Sequence, residues 1–258
     1  MLTNGLTTTS TFWKYLQPIW LRDHQIVTWD LPGHGGSAPA ASAMTATIEA
    51  QPSIIRAVMA AIGIERACQI GWSTGSQVVL ELYRQHPQLC DRLVLLLGGA
   101  GHALDATQLP VGGATIDRLA RALSPRAFRP VFRLLTIGMP TPLGLAIGRR
   151  TGLFGPRVSE ADELEIARHI GTVDPTTLLL MLRSIQAHDA RSVLPSLRVP
   201  LLIVAGDRDP FAPTELVGAR LHENAHGSEL LRLPEGTHTA LLEHYDQIAN
   251  VVEAFSRR

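Results

Sequence analysis

The chain has 258 residues, a length that suits one α/β domain with an insertion and is short for two full-sized enzyme domains. Its composition, with 45% hydrophobic and 18% charged residues, is typical of a folded globular domain and excludes extensive disorder. Lys plus Arg and Asp plus Glu number 23 each, so no net charge directs the molecule towards nucleic acid or anionic lipid, and a small or neutral partner is expected.

The lack of a recognisable targeting signal and the pattern of cysteines favour a cytoplasmic protein with no membrane span. No basic segment followed by an apolar stretch and a cleavage site opens the sequence, and apolar runs such as Leu93 to Ala100 fall well short of the roughly 20 residues that cross a bilayer. Cys68 and Cys90 lie in or beside apolar runs without metal-like spacing. This favours buried free thiols over a disulfide.

Strand-length apolar runs alternate with helix-length patterns along most of the chain. The predicted strands are Gln25 to Leu31, Cys68 to Trp72, Arg92 to Leu97, Pro200 to Ala205 and Glu229 to Leu233. The predicted helices are Ile48 to Ile62, Ser76 to His86 and about Ala240 to Phe255. This alternation predicts an α/β fold with a mostly parallel sheet that is flanked by helices on both faces.

The stretch from Ala103 to Arg191 interrupts this alternation. It contains short helix-like segments separated by proline and glycine, and it has no strand pattern. We predict an inserted helical subdomain here. The chain then divides into a first part of the core (1–102), the helical insertion (103–191) and a second part of the core (192–258).

The strongest chemical signal is a G-x-S-x-G motif, Gly71-Trp72-Ser73-Thr74-Gly75, which lies between a predicted strand and a predicted helix. A sharp turn at this point lifts the serine hydroxyl out of the sheet, and the glycines let strand and helix approach. Ser73 is therefore the predicted nucleophile. A glycine-rich turn whose serine caps the helix is the alternative interpretation.

A serine nucleophile needs a base and a group that orients the base. Among ten histidines, His238 is the best candidate base, because it follows the last predicted strand at the same sheet edge as Ser73. For the acid, Asp209 is favoured over Asp207, since it lies farther along the loop after its strand and can reach the histidine. No metal site is predicted.

Other residues near this edge receive structural or pocket roles. His34 is interpreted as holding its own loop. His102 follows the strand Arg92 to Leu97 and could line a substrate pocket. Trp72, beside the nucleophile, either walls the pocket or packs against the sheet.

Four sequence blocks together resemble the α/β-hydrolase superfamily and its capped esterase, lipase and C–C hydrolase branches. They are the G-x-S-x-G elbow, D-L-P-G-H-G-x-S at Asp30 to Ser37, G-D-x-D at Gly206 to Asp209 and G-x-H at Gly236 to His238. Ser73, Asp209 and His238 follow the order expected for this superfamily. The resemblance implies the α/β-hydrolase fold, and it implies that the insertion is a lid over the active site.

The resemblance also bears on the start of the chain. The family usually has a His-Gly pair before a residue whose backbone N–H enters the oxyanion hole; the matching pair here is Asn4-Gly5, so the donors are the N–H groups of Leu6 and Thr74. The family also has two further strands before this turn. We therefore expect an N-terminally short sheet with the strand Gln25 to Leu31 at its edge, and either a homodimer that covers this edge or poor solubility.

These features predict a serine hydrolase that needs no cofactor and cleaves a carboxylic ester of a small or medium apolar substrate through an acyl-enzyme. Ester cleavage is favoured because an alcohol is a good leaving group. C–C bond hydrolysis, lactone hydrolysis and peroxyacid formation use the same three residues. A ligand receptor of the same fold, with little turnover, is a second class of function. Multiple turnover distinguishes the two classes.

Overall fold

The computed structural model describes residues 1–258 and has a six-stranded sheet at its centre. All five strand pairs are parallel, and the strand order is β2-β1-β3-β4-β5-β6. The strands are β1 (Leu2–Thr3), β2 (Thr28–Trp29), β3 (Ala67–Trp72), β4 (Cys90–Leu96), β5 (Leu201–Gly206) and β6 (Glu229–Leu233). The predicted α/β fold with a mostly parallel sheet is confirmed.

The central strands are apolar throughout because both faces of the sheet are covered. Successive residues of β4 point to opposite faces: Leu93 and Leu95 join one buried cluster, and Val94 and Leu96 join the other. Every residue of β5 is buried. This double burial explains why these strands appear in the sequence as continuous hydrophobic runs.

Helices of the core cover both faces of the sheet. Helices α2, α3 and α9 contribute to the cluster on one face, and α1, α10 and α11 contribute to the cluster on the other. The helices of the core are α1 (Gln17–Trp20), α2 (Gln51–Ala61), α3 (Thr74–Gln85), α9 (Ala219–Asn224), α10 (Ala240–Glu243) and α11 (Tyr245–Ser256). Short 3₁₀ helices span Ser10–Trp13, Met44–Ala46, Ile48–Ala50, Pro87–Leu89 and Arg191–Ser196, and a π-helical turn spans Thr214–Gly218.

The helical insertion contains five helices and no strand. They are α4 (Gly113–Ala122), α5 (Pro125–Gly138), α6 (Pro142–Thr151), α7 (Glu160–Ile170) and α8 (Pro175–Ala187). Local sequence explains where four of them begin: a Ser, Thr or Asp side chain accepts a hydrogen bond from a backbone N–H of the first turn at each of α5 to α8. A proline follows that cap in α5, α6 and α8, where its missing N–H is not needed.

The two ends of the insertion meet at a neck. Gly101 and Asp189 form an isolated antiparallel bridge, the Ala190 N–H donates to the Ala100 carbonyl at 2.7 Å, and the His102 N–H donates to the His188 carbonyl at 3.1 Å. The incoming and outgoing chains therefore leave the core side by side.

Three predicted elements differ in extent from the observed ones. The strand predicted over Gln25 to Leu31 is only two residues long, because β1 offers only Leu2 and Thr3 as partners. The helix predicted from Ile48 begins as a 3₁₀ turn, and α2 then starts with a proline in its first turn. The helix predicted from Ala240 to Phe255 is interrupted at His244, whose φ of −125° leaves the helical region.

Strand β2 pairs only with β1, so it lies at an edge as expected, while the homodimer stays a prediction.

Both cysteines are free thiols, and burial raises the pKa of Cys68 to about 11 and that of Cys90 to about 12. No single helix is long and apolar enough to cross a bilayer; α5 and α6 meet that requirement only as a pair, and the angle between them is 102°.

Candidate active site

Ser73 occupies a strained turn between β3 and α3. Its φ is 55° and its ψ is −120°, a backbone conformation that side chains other than glycine rarely adopt. A Cβ atom on Gly71 would overlap the Gly75 carbonyl, and one on Gly75 would overlap the Thr3 carbonyl. The two glycines therefore allow the close approach of strand and helix that exposes the serine.

His238 connects Ser73 to Asp209. Its Nε2 atom lies 2.9 Å from the Ser73 Oγ atom, and its Nδ1 atom lies 2.8 Å from Asp209 Oδ2. All three residues come from loops or turns after the carboxyl ends of parallel strands, where such sheets position their ligand sites. The structure thus brings together the three residues that the sequence singled out, in the geometry of a nucleophile, a base and an orienting acid.

The carboxylate of Asp209 is fixed on both sides. Its Oδ1 atom accepts the Phe211 and Ala212 N–H groups at 2.8 and 3.0 Å, which leaves Oδ2 for His238. Asp207, the alternative acid, points elsewhere and forms an ion pair with Arg232 at 3.2 Å. Asp209 is therefore the aspartate in contact with the histidine.

Aromatic rings confine the imidazole of His238. The Phe211 ring lies 4.6 Å from it and the Trp72 ring 5.4 Å, measured between centroids. The Trp72 indole N–H also donates to the His238 carbonyl at 3.3 Å, and the Phe12 ring stacks on Trp72 with a centroid distance of 4.2 Å. Trp72 both walls the cavity and packs against the core, so the two roles considered for it are combined.

The backbone near Leu6 is held by His34. The Thr7 N–H donates to His34 Nε2 at 3.0 Å, and His34 Nδ1 donates to the Pro32 carbonyl at 2.9 Å. The accepting role of Nε2 requires a neutral imidazole, and burial lowers the pKa of His34 to about 4. Thr7 has a positive φ of 63° beside Leu6. The loop conformation that presents the Leu6 N–H is thus maintained by a buried, uncharged histidine.

Leu6 follows Gly5, which packs against Ser73, and Thr74 is the next residue after Ser73 in the chain. No acceptor within the protein lies at the Leu6 N–H. Thr74 is the first residue of α3, where a backbone N–H has no partner in its own helix. Both residues line the cavity that contains Ser73. This arrangement leaves two backbone donors available to a negatively charged oxygen.

Glu243, which sequence analysis did not single out, anchors the loop that carries His238. Its Oε2 atom accepts the hydroxyl of Thr237 in a short hydrogen bond and that of Thr239 at 3.0 Å. The Thr239 hydroxyl in turn accepts the Gly155 N–H at 3.0 Å. The residues on both sides of His238 are therefore tied to one buried carboxylate and to the insertion. The spacing Thr-His-Thr with a glutamate five residues after the histidine is the signal that could have revealed it.

A cavity of about 870 Å³ opens beside Ser73 and His238. Most of its lining is hydrophobic and comes from both the core and the insertion, the latter contributing Leu104, Ile116, Leu153, Ile166, Ile170, Leu178, Leu182 and Ile185. His102 also lines it; its Nδ1 atom lies 2.9 Å from the Gln186 carbonyl, and it does not contact Ser73 or Asp209. No cluster of His, Cys, Asp or Glu side chains is arranged to hold a metal ion.

Comparison with known proteins agrees with this fold. The sequence matches the family described as alpha/beta hydrolase fold over residues 1–245, and the chain therefore belongs to the α/β-hydrolase family. An esterase from Exiguobacterium antarcticum has a similar structure, with a TM-score of 0.78, 18% identity and coverage of 100% of this chain and 91% of that one. At this level of sequence identity, the structural similarity supports the fold and nothing more specific.

Two curated relatives are named as hydrolases of different substrates. A pimeloyl-[acyl-carrier protein] methyl ester esterase from Methylococcus capsulatus is 29% identical over 251 residues, which cover 94% of this chain and 88% of that protein. A 2-hydroxy-6-oxononadienedioate/2-hydroxy-6-oxononatrienedioate hydrolase from a Pseudomonas species is 26% identical over 240 residues, with coverage of 91% and 78%. Fold and relatives together support a hydrolase and leave its substrate open.

Proposed function

We propose that the protein is a serine hydrolase that cleaves a carboxylic ester of a small or medium apolar substrate through an acyl-enzyme on Ser73. The observation that carries this proposal is the position of His238, within 2.9 Å of the Ser73 hydroxyl and 2.8 Å of the Asp209 carboxylate. Three side chains linked in this way activate a serine hydroxyl that is otherwise a weak nucleophile.

The first half of the reaction forms the acyl-enzyme. Ser73 Oγ attacks the ester carbonyl carbon while His238 Nε2 takes the hydroxyl proton, and Asp209 stabilises the resulting imidazolium through Nδ1–H. The C–O bond to the alcohol then breaks, and His238 returns the proton to the departing oxygen. In the second half, His238 takes a proton from water, whose oxygen attacks the acyl carbon. The C–O bond to Ser73 then breaks, and His238 returns the proton to Ser73 Oγ as the carboxylic acid leaves.

The negative charge that develops on the carbonyl oxygen requires donors fixed in advance. We assign this role to the backbone N–H groups of Leu6 and Thr74, which border the cavity near Ser73. His34 supports the first of these donors through its contact with Thr7. Removal of a single donor in comparable sites typically costs about 2.7–4 kcal/mol of transition-state stabilisation.

Substrate selection is assigned to the insertion, which acts as a lid over Ser73. Its aliphatic side chains supply much of the cavity lining and suit an apolar acyl or alkyl group rather than a charged one. Trp72 and His102 are the proposed pocket residues from the core. No cofactor enters the proposed reaction.

Cleavage of a C–C bond is the second candidate, because the Pseudomonas relative is named as a hydrolase of a 2-hydroxy-6-oxo dienedioate and is nearly as similar as the esterase. The same three residues serve both reactions. The methyl ester named for the Methylococcus relative makes methyl esters a first choice of substrate. A ligand receptor of this fold differs from both enzymes because it would show at most slow, stoichiometric acylation.

The test is a substrate panel assayed with the wild type and with Ser73→Ala. The panel contains methyl and p-nitrophenyl esters of increasing acyl length, a lactone and a 2-hydroxy-6-oxodienoate. Multiple turnover of esters, lost in Ser73→Ala, is expected. Turnover of the dienoate alone would assign C–C hydrolysis instead, and a single stoichiometric acylation would indicate a receptor. Labelling by a serine-directed phosphonate, absent in Ser73→Ala, identifies the nucleophile.

A further inference from the structure

Charge is distributed unevenly along the insertion. The range 118–159 contains eight of the 23 Lys and Arg residues and none of the 23 Asp and Glu residues. The other residues therefore include 15 basic and 23 acidic side chains. The net charge of zero therefore combines a segment of charge +8 within the insertion with a charge of −8 in the other residues.

Most of these arginines are free to bind a partner. Arg121 pairs with Asp117, and Arg149 pairs with Glu160 and Glu163. The other six are exposed and form no ion pair: Arg118, Arg126, Arg129, Arg133, Arg150 and Arg157; of these, Arg133 donates a hydrogen bond to the Gly171 carbonyl. The segment thus has a local excess of positive charge that the protein itself does not neutralise.

Helix α5 presents an apolar face to solvent. Its inner face, with Phe132 and Thr136 buried, packs against the other helices of the insertion. Leu134 and Ile137 lie on the opposite side of the helix at 100° per residue, and both are exposed. A surface helix ordinarily directs polar residues outwards, so this arrangement reverses the usual pattern.

The exposed apolar side chains continue onto α6. We call the following residues the hairpin surface: Leu134 (73% exposed), Leu135 (65%), Ile137 (72%), Leu143 (72%) and Ile147 (54%). They lie within 14 residues of sequence on two consecutive helices. Arg126 and Arg129 precede them on α5, and Arg150 follows them on α6. Groups of exposed aliphatic side chains mark interaction sites in folded proteins.

The partner of this surface must be both apolar and negatively charged. A second copy of the chain, bound through the same surface, would bring two segments of charge +8 together and would be repelled. A folded acidic protein would need a groove that matches the positions of five exposed aliphatic side chains on two helices. An anionic bilayer requires no such fit, since its acyl boundary accepts aliphatic side chains and its phosphates pair with guanidinium groups.

We propose that the hairpin surface docks the protein on an anionic phospholipid bilayer. The aliphatic side chains of α5 and α6 enter the boundary between headgroups and acyl chains, and Arg126, Arg129 and Arg150 contact lipid phosphates. None of the residues of the hairpin surface lines the catalytic cavity. Docking is therefore separable from catalysis in experiment.

Vesicle co-sedimentation tests the proposal with vesicles of phosphatidylcholine alone and of phosphatidylcholine mixed equally with phosphatidylglycerol. The wild type is expected to bind the mixed vesicles, and to bind them less as salt is added. Each arginine near the surface contributes about fivefold to binding, so Arg126→Glu with Arg129→Glu should reduce it by about 25-fold or more. Leu134→Glu with Ile137→Glu should abolish sedimentation, and Leu143→Glu with Ile147→Glu provides a second, independent apolar test on α6.

The matched control is Leu21→Glu with Arg56→Glu, which changes an exposed leucine and an exposed arginine of the core. It should bind vesicles as the wild type does, and all variants should retain the melting temperature and the hydrolysis of a short soluble ester. Failure of the wild type to bind mixed vesicles, equal binding by the hairpin variants, or equal loss in the control would overturn the proposal. Binding to polyglutamate but not to vesicles would assign the surface to an acidic protein instead.

Discussion

The catalytic edge of the core and the helical insertion use their polar groups in opposite ways. At the catalytic edge, Asp209, His34 and Glu243 are buried, and each one holds a neighbouring loop through hydrogen bonds. In the insertion, charged side chains point mainly to solvent, while aliphatic side chains face the cavity on one side and solvent on the other. The comparison supports our proposal that the core fixes the reaction geometry and that the insertion selects the substrate.

The largest effects are expected where the core directly contacts the reacting atoms. Ser73→Ala and His238→Ala should each lower kcat/KM for an activated ester by about 10⁴ or more, because the three residues act as a unit. Asp209→Asn should be comparably damaging, since it favours the wrong histidine tautomer. Asp207→Asn is the matched control, because Asp207 pairs with Arg232 instead. A severe loss in this control with little loss in Asp209→Asn would reverse the assignment of the acid.

The next effect is on stability and comes from His34. Its pKa is lowered from 6.5 to about 4 in the folded protein, so between these pH values the unfolded chain binds a proton that the native protein does not. The free energy of unfolding should therefore fall as pH decreases from 6.5 to 4, by up to about 3 kcal/mol, and change little from this source below pH 4.

Urea denaturation at a series of pH values measures this contribution. His34→Gln keeps an acceptor for the Thr7 N–H and removes the titration, so its stability should depend less on pH in this window. The exposed His226→Gln serves as the control. If His34→Gln and the wild type showed parallel pH profiles, the buried histidine would have no part in the acid sensitivity of the core.

A smaller effect is expected from the carboxylate that anchors the His238 loop. Thr237→Val removes the hydroxyl that donates to Glu243 and should lower kcat about tenfold with little change in KM, because a hydrogen bond to a charged group contributes about 1.5–3 kcal/mol. Thr237→Ser retains the hydroxyl and should remain close to the wild type. Equal losses in both variants, or a loss confined to KM, would show that the hydroxyl does not position the histidine.

An effect of similar size should arise in the insertion, and it should concern selectivity rather than turnover. Ile116 on α4 lines the cavity, and Ile116→Phe reduces the space for the substrate. The ratio of kcat/KM values for long and short acyl esters is expected to fall about tenfold, within the range for a few methylene groups in an apolar pocket. Leu119→Phe, on the solvent side of the same helix, is the control and should leave the ratio unchanged. Equal losses of kcat/KM for all esters would contradict the proposal that the insertion selects the substrate while the core carries out the reaction.

Local sequence patterns predicted the features that depend on local geometry. The motif around Ser73 requires a strand, a tight turn and a helix in succession, and each is observed. Loops after parallel strands meet at one sheet edge, so the proximity of His238 and Asp209 to Ser73 followed from their positions in the chain. Strand β2 was predicted too long because its length depends on its partner β1, which is remote in sequence.

The supporting contacts could not be predicted in this way. The contact of His34 with Thr7 joins loops 27 residues apart, and that of Thr239 with Gly155 joins the second core part to the insertion across 84 residues. The excess of positive charge in residues 118–159 can be counted in the sequence, although the net charge of the whole chain is zero. The sequence does not show that an exposed apolar surface accompanies this charge, because the direction of Leu134 and Ile137 depends on how α5 packs.

The neck at Gly101 and Asp189 has a consequence for how such a chain can diversify. Because the incoming and outgoing backbones are paired with each other, the intervening residues can be lengthened, shortened or exchanged without a change in the register of β4 and β5. Two positions 88 residues apart in sequence thus behave as a single attachment point. A graft of another helical segment between them would retain the strand register, provided that a new donor replaces the Gly155 N–H at the Thr239 hydroxyl. New specificities would then arise by exchange at one short bridge rather than by gradual remodelling of the sheet.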